Sequence, residues 1–271
     1  GAATGVATAR YMRSCVHLYR GRLEQAIEGA RAALATDGWD MYLPSAHSVI
    51  AHAMIERGEL DRAAQALELP GGDEEWQETI PFALTLEARG RLAEARGNDE
   101  EALALLLKCG ERVSPMGAHQ PYSRWRVQAA LCLARLGKET RARELADAEL
   151  VAARRAGSPR VLGTALIAAA ATLEPAQAVE SLSEAIELLA GCDARLDQAK
   201  ALYFLGTTWR REGAHTAARE PLREALSLAD ELGAALLAEQ VAAELTAAGG
   251  RARRRRLDGV GGLTPAELRV A

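Results

Sequence analysis

The side chains that most often carry out chemistry are scattered along this chain, and their spacing matches no catalytic or metal-binding pattern. The five histidines show neither the H-E-x-x-H pattern nor another ligand spacing; they are His17, His47, His52, His119 and His215. No serine follows the strand-to-helix turn that exposes a nucleophile. The nearest approach to a phosphate-binding loop, Gly137-Lys138-Glu139-Thr140, has Glu139 where Ser or Thr is required. We therefore expect no enzyme activity, no bound metal and no cofactor in this chain.

Three cations, Arg124, Arg160 and Lys200, recur at spacings of 36 and 40 residues. If they face one site, they could bind a carboxylate, a phosphate or an acidic peptide. The other interpretation is that they are ordinary solvated residues of a helix surface. The choice depends on whether neighbouring elements bring the three cations to one face.

The composition favours helices over sheets. Of the 271 residues, 49% are hydrophobic, mostly Ala and Leu, and only 4% are aromatic. The chain is long enough for one extended array or two compact domains. It has no run of roughly 20 apolar residues that could span a bilayer and no signal-peptide pattern. Its four cysteines are far apart and form no C-x-x-C motif, so we expect reduced thiols and a cytoplasmic, soluble protein.

A repeat in which Gly is followed five residues later by Ala extends along most of the chain. Its alanines are spaced 37, 39, 40, 36 and 40 residues apart; they are Ala26, Ala63, Ala102, Ala142, Ala178 and Ala218. The copy at Ala178 replaces the Gly turn with a Pro start. Mostly apolar residues four and seven positions after each Ala form one face of an amphipathic helix. At a fixed distance before each Ala, a preceding helix places a mostly small residue; these are Ser14, Ala51, Gly90, Ala130, Leu166 and Gly206.

These residues resemble tetratricopeptide repeats, in which a small residue on one helix faces an Ala on the next and a Gly turn joins the two. The resemblance covers roughly residues 5–232 and predicts an all-α fold, an α-solenoid of about six helical hairpins. A last helix, about Ala234–Ala247, is predicted to cap the stack. Two residues depart from the pattern: Glu149 replaces an expected Ala, and Pro221 suggests a late start or a bend in the last hairpin.

The first helices of stacked hairpins line a concave groove, which is the expected place for function. By register, the groove-facing residues are Tyr11, Cys15, Ser48, His52, Glu87, Arg91, Arg124, Arg160, Lys200, Tyr203 and Thr207. Among them, the predicted binding residues are Tyr11, His52, Arg91, Arg124, Arg160, Lys200 and Tyr203. We expect a protein, peptide or small-molecule effector there, and the sequence does not identify it.

The composition changes after Gly250. The arginine block within residues 251–256 is most simply a solvated linker, although such a cluster could also bind DNA phosphates. Leu263–Ala271 then begins a new helix, in which Thr264 and Glu267 form a capping box. This L-T-P-x-E-L-R-V run resembles the opening of the helix-turn-helix domain of LuxR-type transcription factors. Together with the preceding repeats, it resembles the large ATP-dependent LuxR regulators, in which a P-loop ATPase, tetratricopeptide-like helices and a DNA-binding domain follow one another.

The resemblance implies three segments: a helical repeat domain (1–250), a basic linker (251–262) and the truncated start of a helix-turn-helix domain (263–271). The repeat domain would sense an effector or a protein and couple an ATPase to a DNA-binding domain. ATP and specific DNA binding are expected only from parts that this chain lacks. The alternative is a tetratricopeptide scaffold that binds a peptide or protein outside transcription. We expect no membrane partner, and self-association remains open.

Overall fold

A computed structural model describes residues 2–36, 40–116 and 123–250, and over these ranges the chain forms fourteen α-helices and no strand. The helices are Ala2–Tyr19 (α1), Leu23–Leu34 (α2), Leu43–Glu56 (α3), Leu60–Ala66 (α4), Asp73–Trp76 (α5), Phe82–Ala95 (α6), Asp99–Val113 (α7), Trp125–Arg135 (α8), Glu139–Ala156 (α9), Pro159–Ala170 (α10), Pro175–Gly191 (α11), Arg195–Arg211 (α12), His215–Leu232 (α13) and Ala235–Ala247 (α14). Short 3₁₀ turns occupy Asp40–Tyr42 and Ser114–Met116. The predicted linker and helix-turn-helix start, at 251–271, lie outside the described residues.

The helices pair as six consecutive hairpins. These are α1/α2, α3/α4, α6/α7, α8/α9, α10/α11 and α12/α13, and α14 packs against α13. The predicted all-α solenoid with a final helix is therefore confirmed. The four-residue helix α5, between the second and third hairpins, was not predicted.

The six repeated alanines are buried, each at most 2% exposed. The small residues of the first helices are needed for the same close packing. A Cβ atom built on Gly206 would lie 2.4 Å from Cγ of Leu222, and one on Gly90 would lie 2.9 Å from Cγ of Leu106. Glycine at these positions therefore allows α12 to pack more closely on α13, and α6 on α7, than a larger residue would.

The glycine of each predicted turn adopts a left-handed conformation, with φ between 69° and 81° at Gly21, Gly58, Gly97, Gly137 and Gly213. At Gly58 the turn has the hydrogen bonds that end a helix. The N–H of Gly58 donates to the carbonyl of Ile55, and the N–H of Glu59 donates to that of Met54. Residues with a Cβ are disfavoured at this φ, so the glycines fix where each first helix ends.

The two departures from the repeat pattern are accommodated in different ways. Glu149 is buried but forms an ion pair with Arg126 at 3.3 Å. The predicted late start at Pro221 is wrong, because α13 begins at His215 and continues through the proline. Proline removes the donor that would reach the carbonyl of Ala217, but Ala217 is exposed and water can replace that donor.

The array closes on itself. Helix α1 contacts α12, and α3 contacts α14. One cluster of buried apolar side chains joins the N-terminal helices of the chain to its C-terminal helices. It includes Ile50 of α3, Leu202 of α12 and Val241 of α14. The two ends therefore share a hydrophobic core, and the interior of the array becomes a partly enclosed cavity. None of the helices in the described part of the chain combines the length and apolar composition needed to cross a bilayer.

Candidate functional site

A cavity of about 160 Å³ occupies the interior of the closed helical array. Side chains from six helices line it, including Tyr11 of α1, Ser48 of α3, Glu87 of α6, Gln128 of α8 and Lys200 of α12, with apolar residues of α14 at one side. Apart from α14, the lining helices are first helices of hairpins, because these face inward while the second helices pack outside them.

Most of the residues predicted to face the groove line this single cavity. They are Tyr11, Cys15, Ser48, His52, Glu87, Arg91, Arg124, Lys200 and Tyr203. Arg160 lies at its border, where its guanidinium is 3.8 Å from the ring centroid of Tyr19 and 3.5 Å from Asp197. Thr207 is buried outside the cavity lining. The structure thus brings the predicted residues together, and their role in binding stays a prediction.

The first charged cluster of the cavity centres on Glu56. Lys200, which is 144 positions away in sequence, donates to its carboxylate, and Arg91 lies 3.4 Å from the same oxygen. Burial on its own would raise the pKa of Glu56, but Lys200 and Arg91 outweigh it and lower that pKa to about 2. Glu56 is therefore ionised and held by two cations from other hairpins.

The second cluster centres on Asp197, which is 1% exposed. Its two oxygens lie 2.9 Å from Arg124 and 3.5 Å from Arg160, in the geometry of ion pairs rather than of aligned hydrogen bonds. Burial acts to raise the pKa of Asp197, and the neighbouring cations reverse this and lower it. All three cations of the predicted column therefore have an internal carboxylate as partner.

A third carboxylate, Glu87, fixes the position of Arg124. It accepts a hydrogen bond from the Ser123 hydroxyl at 2.6 Å and another from the backbone N–H of Arg124 at 3.1 Å. Burial raises the pKa of Glu87, and these two hydrogen bonds oppose that rise. The contacts hold the start of α8 against α6, so that the Arg124 side chain extends toward Asp197.

His52 also lines the cavity and interacts electrostatically with residues of both charged clusters. Burial, together with Arg91, lowers the pKa of His52 to about 3, so its imidazole is neutral near pH 7. The cavity thus presents a neutral imidazole beside paired charges. Among the described residues, no three His, Cys, Asp or Glu side chains come together as a metal site would require.

Sequence reasoning missed several lining residues, although each lies one helical turn from a predicted one. Glu56 follows His52 by four positions, and Gln128 follows Arg124 by four, while Asp197 precedes Lys200 by three. Residues three or four apart share a helix face. The sequence signal was therefore present, but only the closure of the array showed that acids and bases from distant hairpins pair.

Comparison with known proteins identifies the fold. Neither the family models nor the curated protein sequences compared with the chain give a match. The crystal structure of a Rap protein complexed with Competence and Sporulation Factor is similar, with a TM-score of 0.63, 14% identity, and coverage of 90% of this chain and 70% of that one. The crystal structure of NprR in complex with its cognate peptide NprX gives a TM-score of 0.54, 16% identity, and coverage of 90% and 74%. At these identities the likeness concerns the fold alone, which is the tetratricopeptide-like all-α array.

Proposed function

We propose that this chain is the effector-sensing module of a LuxR-type transcriptional regulator, and that an effector bound in the central cavity changes the contact between the first two hairpins and the last one. The observation that carries the proposal is the ion pair between Glu56 and Lys200. It joins α3 to α12 across the cavity, so a ligand that enters there contacts both ends of the array.

The binding part of the proposal has support from architecture. Tetratricopeptide-like arrays use the inner face of their first helices to hold partners. The two similar structures are complexes with a competence and sporulation factor and with a cognate peptide. A peptide or small-molecule effector in the corresponding interior of this chain follows by analogy of fold.

The transcriptional part has support from sequence alone. The L-T-P-x-E-L-R-V run at 263–270 resembles the opening of a LuxR-type helix-turn-helix domain, and basic residues precede it. Opening or tightening of the array would alter the presentation of such a domain. A ligand can shift this equilibrium only by its difference in affinity for the two forms.

The Lys200→Met substitution tests the coupling. It keeps the length of the side chain but removes the cation that joins Glu56 across the cavity. We expect small-angle X-ray scattering to show a larger maximum dimension for this variant, while Lys138→Met, at an exposed position, leaves the dimension unchanged. An unchanged dimension in Lys200→Met would contradict the coupling.

The regulatory role is tested in the organism that encodes the chain. Deletion of the gene is expected to change a defined set of transcripts, and the complete gene is expected to restore them. A gene with Lys200→Met should restore only part of that set of transcripts to wild-type levels, whereas a gene with Lys138→Met should restore all of it. If deletion leaves every transcript unchanged, the regulatory proposal is wrong and the scaffold alternative stands.

A further inference from the structure

The outward face of α1 carries a row of large apolar side chains. Val6, Met12 and Val16 lie on this face and are 48%, 56% and 45% exposed, and the exposed Ala9 lies between them. Within the described ranges, no other α-helix exposes more than one large apolar side chain. An apolar row of this kind, on one side of a helix, is typical of a surface that packs against another element.

The register of the repeat shows what happens to the same positions in the other hairpins. Val16 follows Ser14, the small residue of the first repeat, by two positions. The corresponding residue is buried in α3, α6, α8 and α10 and half-buried in α12; these residues are Ala53, Leu92, Cys132, Ala168 and Thr208. The positions that correspond to Met12 follow the same pattern. Only in α1 is this face of a first helix exposed.

The preceding hairpin covers this face wherever it is buried. Helices α3, α8, α10 and α12 each pack against the second helix of the hairpin before them. Cys132 belongs to one apolar cluster with Leu103 and Leu106 of α7, and Ala168 belongs to one with Ala146 of α9. The exposed face of α1 is therefore the face through which a first helix meets the hairpin that precedes it.

Arg13 gives a second, independent indication on the same face, where it is exposed. Its counterpart by register is Arg89 of α6, whose guanidinium donates to the carbonyl of Leu67 at 2.8 Å and to the carboxylate of Asp73 at 2.7 Å. Both acceptors belong to the part of the chain that precedes α6. A guanidinium at this register thus reaches back to the preceding segment, and Arg13 can reach an acceptor there in the same way.

The opposite end of the array has a different surface. Terminal helices of repeat arrays need a polar outer face to stay soluble. Helix α14 has such a face, with Glu239, Gln240 and Thr246 exposed and no exposed large apolar side chain. Helix α1 instead has the surface of an internal repeat.

We propose that the outward face of α1 receives the second helix of a further hairpin, which precedes α1 in the full-length polypeptide. That helix would cover Val6, Met12 and Val16 and present an acceptor to Arg13. The inference takes from the proposed function only that this chain is a module of a longer protein. A hairpin added at this end leaves the pair of Glu56 and Lys200 in place, because both residues follow α1.

Other occupants fit the face less well. Helix α1 has no acidic residue, so two copies of α1 packed together would bring only basic side chains into proximity. A separate partner protein would lose its translational and rotational freedom on binding to one narrow helix face. A helix of the same polypeptide loses much less, because its linkage to α1 gives it a high effective concentration.

Oxidation of Met12 by dilute hydrogen peroxide, followed by peptide mass spectrometry, measures whether the face is covered. In the 271-residue chain, Met12 and Met41, which is 65% exposed, should react at similar rates. In the full-length protein Met12 should react at least about tenfold more slowly, because only the undocked fraction is attacked, whereas Met41 should keep its rate. An unchanged rate at Met12, or equal slowing of both methionines, would overturn the proposal.

The Val16→Asp substitution tests the contact. In the full-length protein it puts a charge in the covered face, so Met12 should again react as fast as in the 271-residue chain. Val151→Asp, at a residue of α9 that is 50% exposed, is the matched control and should leave Met12 protected. Within the 271-residue chain both variants should unfold within about 2 °C of the wild type, as substitutions at exposed positions do.

The remaining outcomes identify the occupant. Photo-methionine at position 12 should cross-link to residues that precede α1, and a cross-link to another copy, or protection that is lost on dilution of the protein, rejects the proposal. Protection that survives Val16→Asp rejects it too, as does a large fall in the unfolding temperature of that variant in the 271-residue chain. The sensing function is judged on Lys200→Met, by its scattering dimension and transcripts, so it can stand when this proposal fails.

Discussion

At the scale of single residues, the cavity is a set of charges that neutralise one another. The predicted cations Arg124, Arg160 and Lys200 do come to one region, as the register of the repeat indicated. Their partners Glu56 and Asp197 were not predicted, because pairing between hairpins depends on how the array curves. Periodicity fixes which face of a helix points inward but not which distant helix lies opposite.

His52 gives the chain a pH-dependent stability. Its pKa is about 3 in the folded chain and near 6.5 when unfolded, since burial and the cations Arg91, Arg124 and Lys200 disfavour protonation while Glu56 favours it. Below pH 6.5 the imidazole of His52 is protonated in the unfolded state but stays neutral in the folded state, so stability is lost as the pH falls toward 3. Between pH 7.5 and 5 we expect His52 to account for a loss of about 2 kcal/mol in the free energy of unfolding.

Urea denaturation of the wild type and His52→Gln across this pH range checks the prediction. The difference between the two isolates His52, because Glu87, whose raised pKa acts in the opposite direction, is present in both. The exposed His215 provides the control, and His215→Gln should follow the wild type. Parallel pH profiles for wild type and His52→Gln would refute the assignment.

Substitution of Asp197 and of Asp193 compares the stability contributed by a buried ion pair with that of a half-exposed one. Asp197→Asn leaves Arg124 and Arg160 without their shared anion in a buried place, and we expect it to lower the free energy of unfolding by about 3 kcal/mol. Asp193→Asn removes a half-exposed ion pair with Arg20, at 3.2 Å, and should cost less than about 1 kcal/mol. Chemical denaturation of both variants measures this difference, and equal costs would mean that the Asp197 pairs contribute no more than a surface bridge.

At the scale of elements, the sequence determined the hairpins almost completely. The Gly turns and buried alanines predicted both the number of hairpins and the final helix, because each rests on local backbone conformation or on contact between neighbours in sequence. The failures were also local. The late start expected at Pro221 is wrong, and the short helix α5 carries no part of the repeat.

Gly206 tests the close approach of α12 and α13. Alanine in a helix is ordinarily favoured over glycine, but a Cβ here would lie 2.4 Å from the Leu222 side chain and force it to move. We expect Gly206→Ala to lower the free energy of unfolding by about 1–3 kcal/mol. Gly191→Ala is the matched control, since a Cβ there would have no atom of the described chain within 4 Å apart from its chain neighbours and the nearby backbone of its own helix. It should be neutral or stabilising by up to about 1 kcal/mol. Similar values for the two variants, measured by thermal unfolding, would argue against close packing.

At the scale of the whole molecule, closure changes how the array should open. In an open solenoid the terminal repeats have one neighbour each and unfold first. Here α1 contacts α12 and shares a core with the last hairpin. We therefore expect amide hydrogen exchange in α1 and α12 to be as slow as in the central helices α8 and α10, as it is when elements unfold together.

Hydrogen exchange followed by mass spectrometry measures this directly. The Lys200→Met variant provides the comparison, because loss of the cross-cavity ion pair should speed exchange in α1 and α12 more than in α8. Fast exchange of α1 and α12 in the wild type, with a slow centre, would show that the two ends open independently.

The contact between the first and sixth hairpins also bears on how such a chain can change in evolution. Open helical-repeat proteins lengthen or shorten by duplication or loss of one unit, since each unit touches only its neighbours. Here an added hairpin between α3 and α12 would move Glu56 away from Lys200 and separate the two halves of the shared core. The number of hairpins is therefore fixed by the closure, and new ligand preferences must come from substitutions in the lining rather than from gain of a repeat.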